Sequence, residues 1–421
     1  MNEVLYYMNN GVRAVECKDM YIMANTSNQA VIGLEKEQVK IWDAAQKHTV
    51  LKKSDIPDDL FEAMLELNFI SQNIEEQNDE KMNILSAYVH VTNKCNLHCI
   101  GCYSYDSKRN HASDMSLEQL RIVVSRLKDA GLKCLVISGG EPFIRQDLYD
   151  FVKYCQEIGI EEINIISNGT VRTDFKKFKD IVNEISISVD GYSDLCPTFI
   201  RDSGIFNQVC ETVKIIKQSG VPVSILPTLH SKNWNKIDEY MKLANEMGVS
   251  VNFSLLSVCE SEVFKGYIPN VSQQIGLADE LYHVNVPVQD ASIDCNLEAG
   301  LCCGAGRTII SVGTDGTIYP CHMLHTDEYR MGNILETPIK MDQLDKNVMN
   351  VINDVTVDKI DGCQKCEYRY FCSGGCRARS YFKYGDLFHK DGYCELSKHF
   401  YDMVTTDLVR EIKGKKKSNE E

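Results

Sequence analysis

The chain has 421 residues, 43% of them apolar, with 60 acidic against 45 basic side chains and a formal charge of −15. That is enough chain for two or three domains with buried cores, and the acid excess excludes a surface that coats nucleic acid, which needs a basic face. No apolar run approaches the roughly 18–20 residues that span a bilayer, and the opening MNEVLYYMNNG lacks the basic and apolar stretches of a signal peptide, so a cytoplasmic protein is expected.

Residues 1–72 read as a small separate domain. VRAVEC and MYIMANTS are short strand patterns, NQAVIGL supplies a third, and EKEQVKIWDAAQK follows with helical spacing. The turn at Ser54–Pro57 opens a second helix, DDLFEAMLELNFI. Its Leu60, Phe61, Met64, Leu65 and Leu67 are expected to form one buried face. Strands followed by helices in this order suggest a winged-helix-like fold. The 15 acidic against seven basic residues over positions 1–80 make DNA a poor partner. Residues 73–84 are polar and acidic, as a linker is.

From 85 to 265 strands and helices alternate. SAYVHVT, KCLVISGG, EINIISNG, EISISVDG, PVSILPTL and VNFSLL are six β-rich runs separated by helical patterns. In the first of these helices Ser116 and Gln119 form a capping box. Leu117, Leu120, Val124 and Leu127 share a face, and Gly131 ends the element. Repeated βα units imply a parallel sheet with right-handed crossovers. The fold class is therefore α/β, and six units make a partial (β/α)6 TIM-like barrel. Ligands are expected at the carboxyl ends of its strands. The informative segments lie there: a Cys group after YVHVT, SGGEP after CLVI, SNGT after INII and SVDG after ISI.

Residues 266–292 bridge to a Cys- and Gly-rich region over 293–400. Its few long periodic segments suit a fold held by metal. Residues 401–421 read as a C-terminal helix with a charged tail.

The 18 cysteines are the unusual feature. Clustered cysteines in a cytosolic chain more often bind metal or do chemistry than pair as disulfides. Cys17, Cys134, Cys155, Cys196, Cys210 and Cys259 stand singly and are expected to be small buried hydrophobes. Cys95-x3-Cys99-x2-Cys102 lies in a loop after a strand. Three thiolates at this spacing wrap one cubane iron–sulfur cluster and leave one iron free; zinc would want four closed ligands, or three and a water.

The C-x3-C-x2-C loop, SGGEP at Ser138–Pro142 and the partial barrel together resemble the radical S-adenosylmethionine (SAM) enzymes. The resemblance implies that Cys95, Cys99 and Cys102 hold a [4Fe-4S] cluster whose free iron binds SAM. One-electron reduction would then release a 5′-deoxyadenosyl radical. It also implies that Gly139, Gly140 and Glu141 line the methionine amino group, and that Ser188 and Arg201 contact the ribose and carboxylate. One departure stands out. The residue before the third cysteine is usually aromatic and covers the adenine, whereas here it is Gly101, with Tyr103 following.

The later string, Cys303, Gly316-x4-Cys321, Cys363-x2-Cys366-x5-Cys372-x3-Cys376 and Cys394, resembles the SPASM domain of a subset of these enzymes. By that resemblance Cys363, Cys366, Cys372 and Cys394 hold one auxiliary cluster. Cys303, Cys321 and Cys376 hold a second, nearer the active site. Its fourth ligand is Cys295, which has more reach, or Cys302, or the iron stays open to substrate. His322 is expected beside this cluster rather than on it.

The strand and helix order of the first domain resembles the peptide-recognition element of enzymes that modify ribosomally made peptides. There a leader peptide would add as a strand near Gln29–Leu34. All three parts together resemble the thioether-forming peptide maturases of sactipeptide and ranthipeptide type. The resemblance implies a radical SAM oxidoreductase of bacteriocin-like biosynthesis that joins cysteine sulfur to carbon in a Cys-rich precursor peptide, fed by a low-potential electron donor. A peptide epimerase, a C–C or C–O cross-linking enzyme and a sulfatase-maturing enzyme share the scaffold. A zinc-stabilised adaptor is the non-enzyme alternative.

Overall fold

A computed structural model describes the chain except for residues 1–3, 19, 74–82, 105–108, 197, 260, 285, 287, 290, 292, 341–342 and 420–421. The first domain runs β1 (Leu5–Met8), β2 (Val12–Cys17), β3 (Met20–Asn25), β4 (Val31–Leu34), α1 (Val39–Lys47), β5 (Val50–Lys52), α2 (Asp58–Glu66) and β6 (Ile70–Ser71). Strands β2, β3 and β4 form one antiparallel sheet, and β1 lies between β5 and β6 in another. Strand side chains alternate between faces. Val12, Ala14 and Met23 pack with Ile41, Ala44, Phe61 and Met64 in the domain's own core. Val15, Cys17, Ile22 and Ala24 face the other way and join the main core of the molecule. The sheet is thus buried on both faces, and ion pairs add to the docking: Lys18 Nζ lies 2.7 Å from Asp402.

Two details of this domain differ from expectation. Helix α2 stops at Glu66, because Asn68 takes a left-handed φ of 55° and turns Phe69 and Ile70 into β6. Leu65 and Leu67 are therefore exposed rather than part of a buried face. Strands β1, β5 and β6 have two to four residues each, too few for an alternating pattern to show. The expected linker lies largely outside the described residues.

The barrel runs β7 (Ser86–Thr92), α3 (Leu117–Asp129), β8 (Cys134–Gly139), α4 (Leu148–Glu157), β9 (Glu162–Ser167), β10 (Glu184–Ile187), α5 (Phe206–Gln218), β11 (Val223–Ile225), β12 (Thr228–Leu229), α6 (Ile237–Met247), β13 (Ser250–Val251) and β14 (Ser254–Leu255). The order β13-β11-β10-β9-β8-β7 is parallel throughout, as a partial barrel requires. The Ser116–Gln119 capping box starts α3, with Gln119 N donating to Ser116 Oγ over 3.2 Å. The last two β-rich runs each split in two. Pro227 has no N–H to offer a ladder, and β12 pairs separately with β14.

The remainder runs α7 (Val271–Val284), β15 (Ile309–Val312), β16 (Thr317–Tyr319), β17 (Gly332–Asn333), α8 (Lys346–Asp354), α9 (Arg369–Cys372), α10 (Arg377–Tyr384) and α11 (Cys394–Asn419). Strand β15 joins β7 in parallel, and β16 and β17 follow antiparallel, so the sheet has nine strands. The Cys-rich region is therefore a continuation of the barrel wall. Helix α11 packs along α7, with Tyr282 donating to Asp407 over 2.6 Å. Among the single cysteines, Cys17 and Cys155 are buried, Cys134, Cys196 and Cys210 are half-buried, and Cys259, against expectation, is exposed. It follows β14, where the chain has left the sheet.

Candidate active site

The residues that end β7 build the first cysteine loop. Asp114 accepts from Thr92 Oγ1 at 2.6 Å and from Asn93 N at 2.7 Å. Asn110 accepts from Cys95 N at 2.8 Å. The end of β8 lies directly against this loop. Gly140 N donates to Thr92 O at 2.7 Å and Glu141 N to Lys94 O at 2.8 Å. Glycine is required here: a Cβ on Gly140 would stand 2.1 Å from the Lys94 carbonyl oxygen, and Gly139 has a φ of 134°.

Cys95, Cys99 and Cys102 line one cavity, open to solvent, together with Gly139, Gly140, Ser188 and Arg201. Each thiol meets one side-chain N–H. Asn168 Nδ2 lies 3.8 Å from Cys95 Sγ, Arg201 Nη1 3.9 Å from Cys99 Sγ, and Arg109 Nη2 3.7 Å from Cys102 Sγ. Burial pushes the Cys99 thiol up, and Arg201 opposes it. The buried Nε atoms of Arg109 and Arg201 have no partner among the described residues. Thiols around a cavity, glycines that leave room, and guanidinium groups beside the thiols fit an iron–sulfur cluster with an anionic ligand on its free iron.

Glu141 departs from its expected role. Its carboxylate is fully buried and does not line the cavity. It accepts from Phe143 N at 3.1 Å, Ser167 Oγ at 2.9 Å and Asn168 N at 2.7 Å, and so ties the ends of β8 and β9 together. Burial outweighs these donors and pushes its pKa up to about 7.

Gly101 has a steric explanation. A Cβ there would meet Leu256 Cδ1 at 3.0 Å and Ile200 Cδ1 at 3.4 Å, so the space an aromatic ring would take is filled by these two side chains. Tyr103 turns instead to hydrogen-bond Ser138. Sequence reasoning passed over Asn168 and Arg109, although Asn168 lies within the flagged SNGT. It also passed over Asp190 of SVDG, which accepts from Ile200 N at 2.6 Å and thereby holds the segment that presents Arg201.

The later cysteines fall into two groups. Cys363, Cys366, Cys372 and Cys394 line one cavity with Tyr368 and Arg369. Burial pushes the Cys394 thiol up to about 12, and Cys363 and Cys366 add to the shift. Cys303, Cys321 and Cys376 form the second group: burial raises Cys321, and Cys376 and Cys303 reinforce it. Bound metal would reverse this logic and hold the thiols as thiolates. Arg377, at the start of α10, holds the loop that follows that helix, donating to Leu387 O at 2.7 Å and His389 O at 2.8 Å. Among the described residues no three His, Cys, Asp or Glu side chains converge as ligands of a single ion. The thiols of the first loop and of the Cys363, Cys366, Cys372 and Cys394 group stand around cavities instead, which suits a multi-iron cluster better than a zinc with bonds of about 2.3 Å.

The two candidates for a fourth thiol of the second group differ in exposure. Cys295 is exposed, and the charged group that perturbs it is Asp294. Cys302 is half-buried and feels Arg307 and Cys303. The two sites meet at one wall. His322 and Met323 line the first cavity and directly follow Cys321. His322 stacks on Tyr88 at 4.1 Å between ring centres and meets Tyr103 edge-on at 5.1 Å.

Two family models match. The radical SAM superfamily covers residues 89–244, and the SPASM iron–sulfur cluster-binding domain covers residues 302–367. Mycofactocin maturase MftC of Mycobacterium ulcerans is 26% identical over 69% of this chain and 82% of its own. An AdoMet-dependent heme synthase of Methanosarcina barkeri is 23% identical over 72% and 94%. Among solved structures, native anSMEcpe with bound AdoMet matches with a TM-score of 0.62 at 20% identity, over 78% of this chain and 99% of that one. Streptococcus suis SuiB bound to the precursor peptide SuiA matches with a TM-score of 0.58 at 16% identity, over 92% and 99%. The structural likenesses concern the fold. The chain carries a radical SAM domain followed by a SPASM domain, is homologous to peptide maturases, and is a protein of [4Fe-4S] clusters and SAM.

Proposed function

We propose that this chain modifies a cysteine-bearing, ribosomally made precursor peptide in the cytoplasm by closing a cysteine sulfur onto a carbon of another residue. The observation that carries the reading is the shared wall: His322 and Met323 face the cavity of Cys95, Cys99 and Cys102 and adjoin Cys321 of the inner thiol group. A substrate C–H bond in the cavity and a substrate thiol at the inner group then lie within reach of one short peptide segment.

In this reading Cys95, Cys99 and Cys102 hold the SAM-binding cluster, and Gly139, Gly140, Ser188 and Arg201 contact SAM. Cys363, Cys366, Cys372 and Cys394 hold the outer auxiliary cluster. Cys303, Cys321 and Cys376 hold the inner one, with the half-buried Cys302 in place of the exposed Cys295 as fourth thiol. SAM with a reduced cluster supplies a carbon radical that takes a hydrogen atom from an unactivated C–H bond. Each thioether removes two hydrogens from the peptide, one as that atom and one as the thiol proton. One electron is left over, and the auxiliary thiol groups place low-potential acceptors beside the site. Tyr88, Tyr103 and Leu256 line the cavity and give it an apolar wall.

The N-terminal domain is the proposed leader site. Strand β4 is the end strand of its sheet and offers an edge for β-augmentation. The Gln29 carbonyl is taken by Ala299 N at 2.9 Å, which confines the receiving edge to Val31–Leu34. The match to SuiB, whose structure holds a precursor peptide, extends over 92% of this chain and so reaches into the N-terminal domain.

The test is mass spectrometry of a Cys-bearing precursor peptide encoded beside the gene, after anaerobic incubation with SAM and a low-potential reductant. A loss of about 2 Da per bond with one thiol no longer alkylatable is expected. An unchanged mass with deuterium uptake from heavy water would replace this reading with epimerisation, and absence of SAM cleavage would overturn both.

A further inference from the structure

The three thiols of the first loop are each met by a side-chain N–H from a different part of the fold: Asn168 from the end of β9, Arg201 from the segment after β10, and Arg109 from the cysteine loop itself. Two of the three donors are guanidinium groups, in a chain whose net charge is −15. Arg201 has a place in the reading above; Arg109 has none. It is fixed where it is: it donates to Ser104 Oγ at 3.0 Å and to the Ser104 carbonyl. Ser104 Oγ in turn donates to Gly139 O at 2.8 Å. The guanidinium is thus braced between the cysteine loop and the end of β8, with Nη2 toward Cys102. The neighbouring His90 adds no charge. Burial pushes its pKa well down, and His325, His322 and Arg109 reinforce that. Arg109 is therefore a fixed unit of positive charge beside Cys102.

We propose that Arg109, with Asn168 as its neutral counterpart at Cys95, sets the reduction potential of the SAM-binding cluster and so decides whether a cellular donor can reduce it. The inference rests on the reading of Cys95, Cys99 and Cys102 as the cluster's ligands. The physics is direct. Reduction adds one electron to a centre that already carries three thiolates. Hydrogen bonds to the sulfurs and nearby positive charge stabilise the reduced form more than the oxidised one and raise the potential. A guanidinium does so most strongly because its charge is permanent and its bonds are charge-assisted. Arg109 is a positioning residue: it acts on the cluster through Cys102.

The experiment is a redox titration of the anaerobic holoenzyme, read by the electron paramagnetic resonance signal that changes when SAM is added, with iron content measured in parallel. Arg109→Gln is expected to keep its iron and its SAM-responsive signal. At the potential that half-reduces the wild-type cluster, its ratio of reduced to oxidised cluster should fall about tenfold, equivalent to about 59 mV for one electron. Arg109→Lys, which keeps the charge, should lie near wild type. Asn168→Asp keeps the acceptor for Thr170 N but replaces the N–H at Cys95 with negative charge, and should also shift downward. An unchanged midpoint in Arg109→Gln, or in Asn168→Asp should the first variant lose its cluster, overturns the proposal. Absence of any SAM-responsive signal in the wild type would instead remove the ligand assignment, and the inference with it.

Discussion

Arg379 and Asp391 form a two-pronged ion pair, Nε to Oδ1 at 2.8 Å and Nη2 to Oδ2 at 2.7 Å, with both side chains no more than 4% exposed. It sits where three sites meet. Asp391 Oδ2 accepts from Cys376 N at 2.7 Å, and the Asp391 carbonyl accepts from Cys394 N at 3.0 Å, so one residue touches both auxiliary groups. Arg379 also reaches Ser257 Oγ, on the cavity wall, at 3.4 Å. Burial works to raise the Asp391 carboxyl, yet Arg379 and the backbone donors hold it below its ordinary value.

Removing one partner of such a pair leaves a buried charge unpaired. Arg379→Ala should therefore cost about 3–5 kcal/mol in anaerobic chemical denaturation. It should release iron from both auxiliary groups at once, whereas Asp391→Asn, which keeps an acceptor for Cys376 N, should lose less. Equal losses in the two variants would mean that the charge pair, which both break, and not the Cys376 contact, which both keep, is what the site needs.

Gly140 makes the dependence of the cysteine loop on β8 testable. Its added Cβ would lie 2.1 Å from Lys94 O and 2.6 Å from Lys94 C, backbone atoms that cannot yield without moving Cys95. Gly140→Ala should lower the iron bound at the first site and abolish SAM cleavage, with the auxiliary irons retained. The same substitution at Gly33, where an added Cβ meets nothing within 4 Å, should change neither iron content nor cleavage.

Glu141 predicts a pH dependence of stability. Its folded pKa of about 7 lies above the ordinary value of 4.5, so the folded state holds the proton more tightly. Between these values the folded chain binds more protons than the unfolded one, and stability falls as pH rises. The contribution is full below the unfolded value and gone above the folded one. Wild type should lose about 1 kcal/mol between pH 6 and pH 8 relative to Glu141→Gln, by denaturation of the two proteins side by side. Parallel curves would show that Glu141 is already ionised at pH 6.

The thiol groups predict iron counts. Three clusters correspond to about 12 irons per chain. Cys372→Ala should remove about 4 and leave SAM cleavage intact, whereas Cys95→Ala should remove about 4 and abolish cleavage. Cys295→Ala should leave the count unchanged, because Cys295 is exposed whereas Cys302 is half-buried beside Cys303. A loss in that variant would restore Cys295 as a ligand in place of Cys302.

What was legible in the sequence was whatever local spacing determines. The loop of Cys95, Cys99 and Cys102 and the glycines of SGGEP are neighbours in the chain, and each follows a strand long enough to show itself. The two later thiol groups interleave in sequence, and their order was readable only through a resemblance. Strands β15 to β17 have two to four residues each, so their addition to the barrel sheet left no periodic trace. Arg109 and Asn168 show no spacing that ties them to the thiols: Asn168 meets Cys95 from 73 residues away, and Arg109 meets Cys102 only through the way the cysteine loop folds back. The inward turn of Glu141 is of the same kind, since its partners Ser167 and Asn168 lie 26 and 27 residues away.

The proposed leader edge gives a last test. Asn25 N donates to Ala30 O at 2.8 Å, and antiparallel ladders alternate, so Val31 and Gly33 turn their backbone groups outward from β4. Gly33 is exposed and pairs opposite Ile22. Gly33→Pro removes one outward N–H while leaving the bonds to β3 in place. An incoming strand would lose that hydrogen bond and meet the ring, so leader affinity should fall about tenfold or more in fluorescence anisotropy. SAM cleavage without peptide should not change, because no residue of β4 lines the cavity of Cys95, Cys99 and Cys102. Affinity equal to wild type would exclude β4 as the receiving strand and would move the leader to another surface.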